Sequence, residues 1–154
     1  MSRSYYKTSA RRDSVDTSGL VASYDRSDRN HANVAAWLSN SSPPRILSPF
    51  VAAELDYLIL NKLGRVAELA VLEDLASGAY LLPHPDSADV QVAAGMLKQH
   101  EAIDLGLTDA SIAVLSQRFG SVDVLTLDHR HFRAITTPSG MPFRLLPADG
   151  PDVT

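Results

Sequence analysis

Val122-Asp123-Val124-Leu125-Thr126-Leu127-Asp128 decides the fold of this chain. Val122–Leu127 is its clearest buried strand, apolar enough to be covered on both faces, and an acid stands immediately after it. Upstream, Thr108 or Asp109 is positioned to cap a helix through Ile112, Ala113, Leu115 and Ser116, and Gly120 is a good residue to end it. Asp86 opens an earlier helix containing Val90, Ala93, Ala94 and Leu97, and Ala79–Leu82 precedes it as a strand. Val66, Leu69, Ala70 and Leu72 carry a helix to Gly78. Ser48-Pro49 pairs an N-cap with the preferred first-turn proline of a helix that runs through Phe50, Val51, Leu55, Leu58 and Ile59 to Gly64. Before it lie the short strand Arg45–Leu47 and a helix capped by Asp28 through His31, Val34, Ala35 and Leu38. Ser14–Asp16 is a minimal first strand, followed by a helical stretch from Ser18 to about Arg26. Phe143–Leu146 closes the series.

Strands alternating with amphipathic helices specify an α/β fold, a parallel sheet with helices on both faces. The globular part spans residues 14–147. Residues 1–13, basic and without apolar periodicity, are expected to form a flexible extension, and residues 148–154 a flexible tail.

The 154 residues are 45% hydrophobic and 21% charged, an ordinary globular composition. Cysteine is absent, which excludes a disulfide scaffold, a thiolate metal site and a cysteine nucleophile. No apolar run is long enough to span a membrane, and the polar, basic N-terminus lacks the apolar core of a signal peptide; a cytoplasmic location is expected. The net charge of −4 offers no general electrostatic attraction for nucleic acid. Of the 18 acids 14 are Asp, a residue suited to caps, turns and metal ligation.

Ligands of parallel sheets gather beyond the carboxyl ends of the strands, near the point where strand order reverses. Asp16 follows the first strand and Asp128 follows the strand Val122–Leu127, so both project at that edge. Asp109 lies where the chain re-enters from the same side, and Glu54 lies on the second turn of the helix after Arg45–Leu47. Taken singly, Asp109 reads as an N-cap, Asp128 as a turn residue and Glu54 as a surface acid. Together, four carboxylates from four segments suit a hard cation, Mg²⁺ or Mn²⁺, which relieves their repulsion and can activate water beside a phosphodiester. Thr17, Ser18 and Thr126 supply hydroxyls to orient the carboxylates or water.

The segments Asp16-Thr17-Ser18-Gly19-Leu20-Val21-Ala22, Ala53-Glu54-Leu55, Thr108-Asp109-Ala110-Ser111-Ile112-Ala113 and Leu125-Thr126-Leu127-Asp128-His129-Arg130-His131-Phe132 occur in that order. They resemble the PIN-domain ribonucleases, specifically the VapC toxins of bacterial toxin–antitoxin pairs, over about residues 14–147. The resemblance implies a PIN-like fold with a central parallel sheet of order 3-2-1-4-5. It also implies Mg²⁺- or Mn²⁺-dependent endoribonuclease activity, a homodimer, and neutralisation by a VapB-type antitoxin, with DNA engaged only through that antitoxin. Carried over by motif, Asp16, Glu54, Asp109 and Asp128 form the catalytic quartet, and Asp16, Asp109 and Asp128 the metal ligands. The chain departs from the family in its first strand. Arg11-Arg12-Asp13-Ser14-Val15 contains one apolar residue where several are usual, which keeps open a non-catalytic PIN-like scaffold as the alternative.

His129-Arg130-His131-Phe132-Arg133 places positive charge beside the acids, with Arg130 and His131 as contacts for RNA phosphate. Arg45, Arg118, Arg130, Arg133 and Arg144 are expected to form a wider RNA-facing patch. Trp37 and Tyr57 read as core or dimer interface, and His31, His84 and His100 as structural or surface residues. The Leu-, Val- and Ala-rich helices between Pro49 and Ser77 exceed what a small sheet requires, which points to a dimer or antitoxin surface. A haloacid-dehalogenase-like phosphatase would need an acid at Ser18, and an aspartic protease would need Gly there in an all-β chain; neither fits.

Overall fold

Two residues, Ser14 and Val15, form β1, the central strand of the sheet. A computed structural model of the protein describes residues 12–150, so most of the expected extension and tail lies outside the described residues. From β1 the chain continues through α1 (Thr17–Tyr24), α2 (His31–Asn40), β2 (Arg45–Ile46), α3 (Pro49–Leu63), α4 (Arg65–Ala76), β3 (Tyr80–Leu81), α5 (Ser87–Gln99), α6 (Leu107–Phe119), β4 (Asp123–Leu125), α7 (His129–Ala134) and β5 (Arg144–Leu146). All five strands are parallel, in the order β3-β2-β1-β4-β5. The chain winds outward from β1 in both directions, so right-handed crossovers on the two wings cover opposite faces. The order reverses between β1 and β4, where Ser14 is level with Val124 and Val15 with Leu125.

The meagre first strand is held by means other than apolar length. Its Val15 is fully buried, and the Ser14 hydroxyl is 3.0 Å from that of Ser116 on α6, so a polar residue sits in the core with its hydrogen bond made. The Asp16 N–H donates to the Leu125 carbonyl at 2.9 Å, extending the β1–β4 ladder one residue past β1 itself. β4 is shorter than the expected Val122–Leu127. Beyond Thr126, the Leu127 N–H turns to the Ser18 hydroxyl and the Asp128 N–H to that of Thr126.

Two helix caps follow the sequence reading, two depart from it, and α7 is a helix the sequence reading did not include. Ser48 accepts from the Phe50 N–H ahead of Pro49, and Asp86 and Asp89 form a reciprocal capping box on α5. Asp28 does not cap α2: Asn30 occupies that position, and the Asp28 carboxylate accepts from the Asn30 N–H at 2.7 Å, closing a turn before the helix. Neither Thr108 nor Asp109 caps α6. That position falls to Gly106, which frees both side chains for other contacts. α7 starts with Asp128 accepting from the His131 N–H at 3.2 Å. Gly120 ends α6 as expected, in the left-handed conformation at φ 67°.

At the C-terminal end of the described residues the chain makes a turn at residues 147–149. The Asp149 carboxylate receives Arg133 and accepts from the Leu145 N–H at 2.8 Å, which fastens this turn to α7 and β5.

Candidate active site

Asp16 comes off the end of β1 with its side chain 4% exposed. Its Oδ2 accepts hydrogen bonds from the Ser18 and Thr126 hydroxyls, each at 2.8 Å. The parallel register explains this: one step beyond Val15 opposite Leu125 stands Asp16 opposite Thr126. Ser18 also receives the Leu127 N–H at 2.9 Å, and Thr126 the Asp128 N–H at 3.0 Å. One pair of hydroxyls therefore ties together the ends of the two strands that carry Asp16 and Asp128. Thr17, buried beside them, has a hydroxyl with no hydrogen-bond partner among the described residues.

Asp109 projects from the first turn of α6 toward the same edge. Its Oδ2 lies 3.0 Å from His131 Nδ1, which in turn is 2.9 Å from Asp128 Oδ2. Donor atoms of Asp109, Asp128 and His131 all lie within 4.8 Å of one another. Burial, then the neighbouring Asp16 charge, push the Asp109 carboxyl up to about 6 against the pull of His131. Burial likewise raises Asp16 above the ordinary carboxylate range, opposed by its hydroxyl donors. Two acids disposed to hold protons, beside a buried imidazole nitrogen lacking a well-formed hydrogen bond, mark a site short of positive charge. Oxygen donors with one imidazole fit a hard or borderline divalent cation.

Asp16, Thr17, Ser18, Glu54, Asp109, Asp128 and His131 line one cleft of about 320 Å³. Glu54 stands exposed on α3 and accepts from the Thr108 hydroxyl at 3.0 Å across the opening. The structure thus brings all four sequence-selected acids to one cleft, with Ser18 and Thr126 buttressing Asp16. His131 is placed differently from the expected RNA contact. The one-turn helix after Asp128 swings it back between two carboxylates, while Arg130 stays exposed. Asp104, a fifth carboxylate lining the cleft, was not singled out from the sequence. Its signal was position alone, five residues ahead of Asp109 in the connector entering α6.

The wider arginine patch is not formed. The Arg45 guanidinium is buried against the Leu38 carbonyl (2.6 Å) and Ser41, with its cation over the Trp37 ring. Arg144 makes a two-pronged pair with buried Asp123 at 2.8 and 2.9 Å, Arg133 pairs with Asp149, and Arg118 with Asp89. In an Asp-rich chain these arginines neutralise structural carboxylates, a use that composition alone does not separate from RNA binding. Trp37 is core and His31 bonds the Ala22 carbonyl, whereas Tyr57 is exposed.

Comparison with known proteins places these features in context. The PIN domain matches residues 14–137. Ribonuclease VapC26 of Mycobacterium tuberculosis (strain ATCC 25618 / H37Rv) is 38% identical over 133 residues, covering 86% of this chain and 98% of that protein. The crystal structure of Mycobacterium tuberculosis VapC20, described as a sarcin-ricin loop cleaving toxin, superposes with a TM-score of 0.70 at 21% identity, over 75% of this chain and 88% of that one.

Proposed function

Because the chain belongs to the PIN-domain family, we propose that it is a metal-dependent endoribonuclease, the toxin of a type II toxin–antitoxin pair, which cleaves structured RNA (transfer or ribosomal) and so inhibits translation. The observation that carries this reading is the convergence of Asp16, Asp109 and Asp128 from three separate segments on one cleft, with His131 between two of them. The ribonuclease relative supports the substrate class. The first-strand departure does not favour the non-catalytic scaffold, since Asp16 is held in the ladder and by two hydroxyls.

Asp16, Asp109 and Asp128, with His131 beside them, would hold Mg²⁺ or Mn²⁺. When bound, such an ion lowers the pKa of water and offsets charge on a phosphoryl oxygen. The chain's own residues supply the positioning. Ser18 and Thr126 fix one oxygen of Asp16, so that carboxylate need not reorganise as charge develops. Glu54, steadied by Thr108 on the opposite wall, completes the quartet and is available to accept a proton from attacking water. In-line attack adds the water oxygen to phosphorus, breaks the P–O3′ bond and passes a proton to the leaving oxygen. The products are a 5′-phosphate and a 3′-hydroxyl. Arg130, exposed beside the cleft, contacts RNA phosphate.

Tyr57 and Leu58 on α3 and Val66, Leu69 and Leu72 on α4 are exposed, and α4 buries only Glu68 and Val71. This apolar face is covered by protein: a second copy in a homodimer or a VapB-type antitoxin, through which DNA is engaged indirectly. Among the described residues no helix is long and apolar enough to cross a membrane, and we place the protein in the cytoplasm. Expression in a bacterium tests the reading. Growth should arrest with new 5′-phosphate ends in one class of structured RNA, and Asp16→Asn should relieve both; arrest that survives Asp16→Asn would overturn it.

A further inference from the structure

A second and larger hollow, about 610 Å³, adjoins the acidic cleft. The two share the turn between β4 and α7. Asp128 lines the cleft, while Leu127 and His129 on either side of it line the larger groove. The far wall is one face of α2, where Asn33, Ala36, Trp37 and Asn40 recur at helical spacing. Resting on the reading of the protein as an endoribonuclease, we propose that this groove receives one unpaired nucleotide adjacent to the scissile phosphate, and that Asn33 and Asn40 select its base.

Three observations carry this. The first is continuity: a strand whose phosphate lies at Asp128 must place a neighbouring nucleotide beyond the turn, and the groove opens there. Its volume is within the roughly 300–1,000 Å³ range of small-ligand pockets and accommodates a nucleoside.

The second is charge. Arg144 on the rim is already paired with Asp123. A phosphate would find little to neutralise it here, whereas a neutral heterocycle needs only hydrogen bonds and a flat wall.

The third is the kind of polar group presented. Asn33 is exposed and offers both a donor and an acceptor. Asn40 gives one Nδ2 hydrogen to the Ala36 carbonyl at 2.9 Å and keeps its second N–H and its amide oxygen, so it too presents a donor and an acceptor. Two carboxamides on one wall hydrogen-bond a base edge, and a carboxamide pairs bidentately with adenine. The wall itself is firm. Trp37 is buried under the Arg45 guanidinium, and the small Ala36 between the two asparagines leaves the groove open.

The test uses the full chain with Mn²⁺ on total bacterial RNA, sequencing the 5′-phosphate ends that appear. Wild-type protein should show, at one position flanking the cut, about a tenfold preference for adenine, the discrimination expected of one good base contact. The pair Asn33→Ala and Asn40→Ala should flatten that position alone while cleavage persists. Ala36→Trp, which fills the groove from the half-buried Ala36 position of α2 and away from the cleft acids, should raise KM about tenfold with kcat within about twofold. Active variants with the wild-type cut profile and KM overturn the subsite and leave the ribonuclease reading standing. So does an unchanged profile accompanied by lost inhibition by a protein antitoxin, which would make the groove a protein site. Wild-type protein that cuts no RNA overturns both.

Discussion

Asp109 illustrates how much a single carboxyl reports about this site. A carboxyl whose folded pKa lies above its unfolded value carries a penalty when ionised. For Asp109 that penalty is fully present above about 6 and is relieved as pH falls through 6 toward the ordinary carboxylate value of 3.8. The metal-free protein should therefore gain thermal stability as pH falls from 7.5 to 5, and Asp109→Asn should remove most of the gain. Mn²⁺ should reverse the trend, raising Tm at pH 7.5 by roughly 5–10 °C at one hundred times Kd and much less at pH 5. A calorimetric pH series with and without Mn²⁺ measures both. Thr126 makes a second residue-scale prediction. Thr126→Val removes a donor to Asp16 and an acceptor for the Asp128 N–H, at a cost of about 1–3 kcal/mol for the stranded groups. Metal affinity measured by titration calorimetry should fall about 10- to 100-fold. The sequence placed Asp16 and Asp128 by the rule that acids after strands face ligands, and Asp109 by the re-entry of the chain at the same edge. It did not place His131, because a side chain three residues past an acid turns inward only if a helix starts there, and the cap that starts this one is Asp128 itself.

Among the elements, α1 and β4 set the position of the site through one close approach. A Cβ on Gly19 would lie 2.7 Å from Leu125 Cγ and 3.2 Å from the Leu125 carbonyl oxygen. Only a glycine lets α1 sit this near the strand and bring Ser18 to both Asp16 and Thr126. Gly19→Ala should cost roughly 1–3 kcal/mol by overpacking and lower activity by displacing Ser18. Denaturation of Gly19→Ala, Leu125→Ala and the double variant should show less destabilisation than the sum, since Leu125→Ala removes the clashing Cγ. The succession of strands and of every helix but α7 was legible because apolar runs and Gly, Pro and Ser punctuation dictate it locally, whereas the order of strands in the sheet came from the family resemblance. Helix starts were less so. Asp28 and Thr108-Asp109 have the chemistry of caps, yet a local turn with Asn30 took the first and tertiary contacts at the site took the others, and nothing in their neighbours distinguishes the two uses. β1 reads poorly as a strand because its burial rests on the Ser14–Ser116 hydroxyl pair, a partner 102 residues distant.

For the whole molecule, the net charge of −4 does not argue against RNA, because carboxylates gathered at one cleft suit a cation that would neutralise them there. Arg133, Arg144 and Arg118 meet Asp149, Asp123 and Asp89, while Asp16, Glu54, Asp104, Asp109 and Asp128 line the cleft. The uncovered apolar face on α3 and α4 is the other large-scale feature, with Val66 85% exposed. Val66→Asp with Leu69→Asp should weaken self-association or antitoxin binding by at least tenfold in sedimentation and pull-down, while leaving Tm within a few degrees, since neither side chain is in the core. The account as a whole turns on whether the gathered carboxylates cut RNA by way of a metal. Purified full-length protein should be incubated with structured RNA and Mg²⁺ or Mn²⁺, alongside Asp16→Asn, Asp109→Asn and an EDTA control. The account predicts metal-dependent cleavage leaving 5′-phosphate ends, abolished by EDTA and reduced at least about a hundredfold in both variants. Cleavage that persists in EDTA, or that both variants retain, would contradict it.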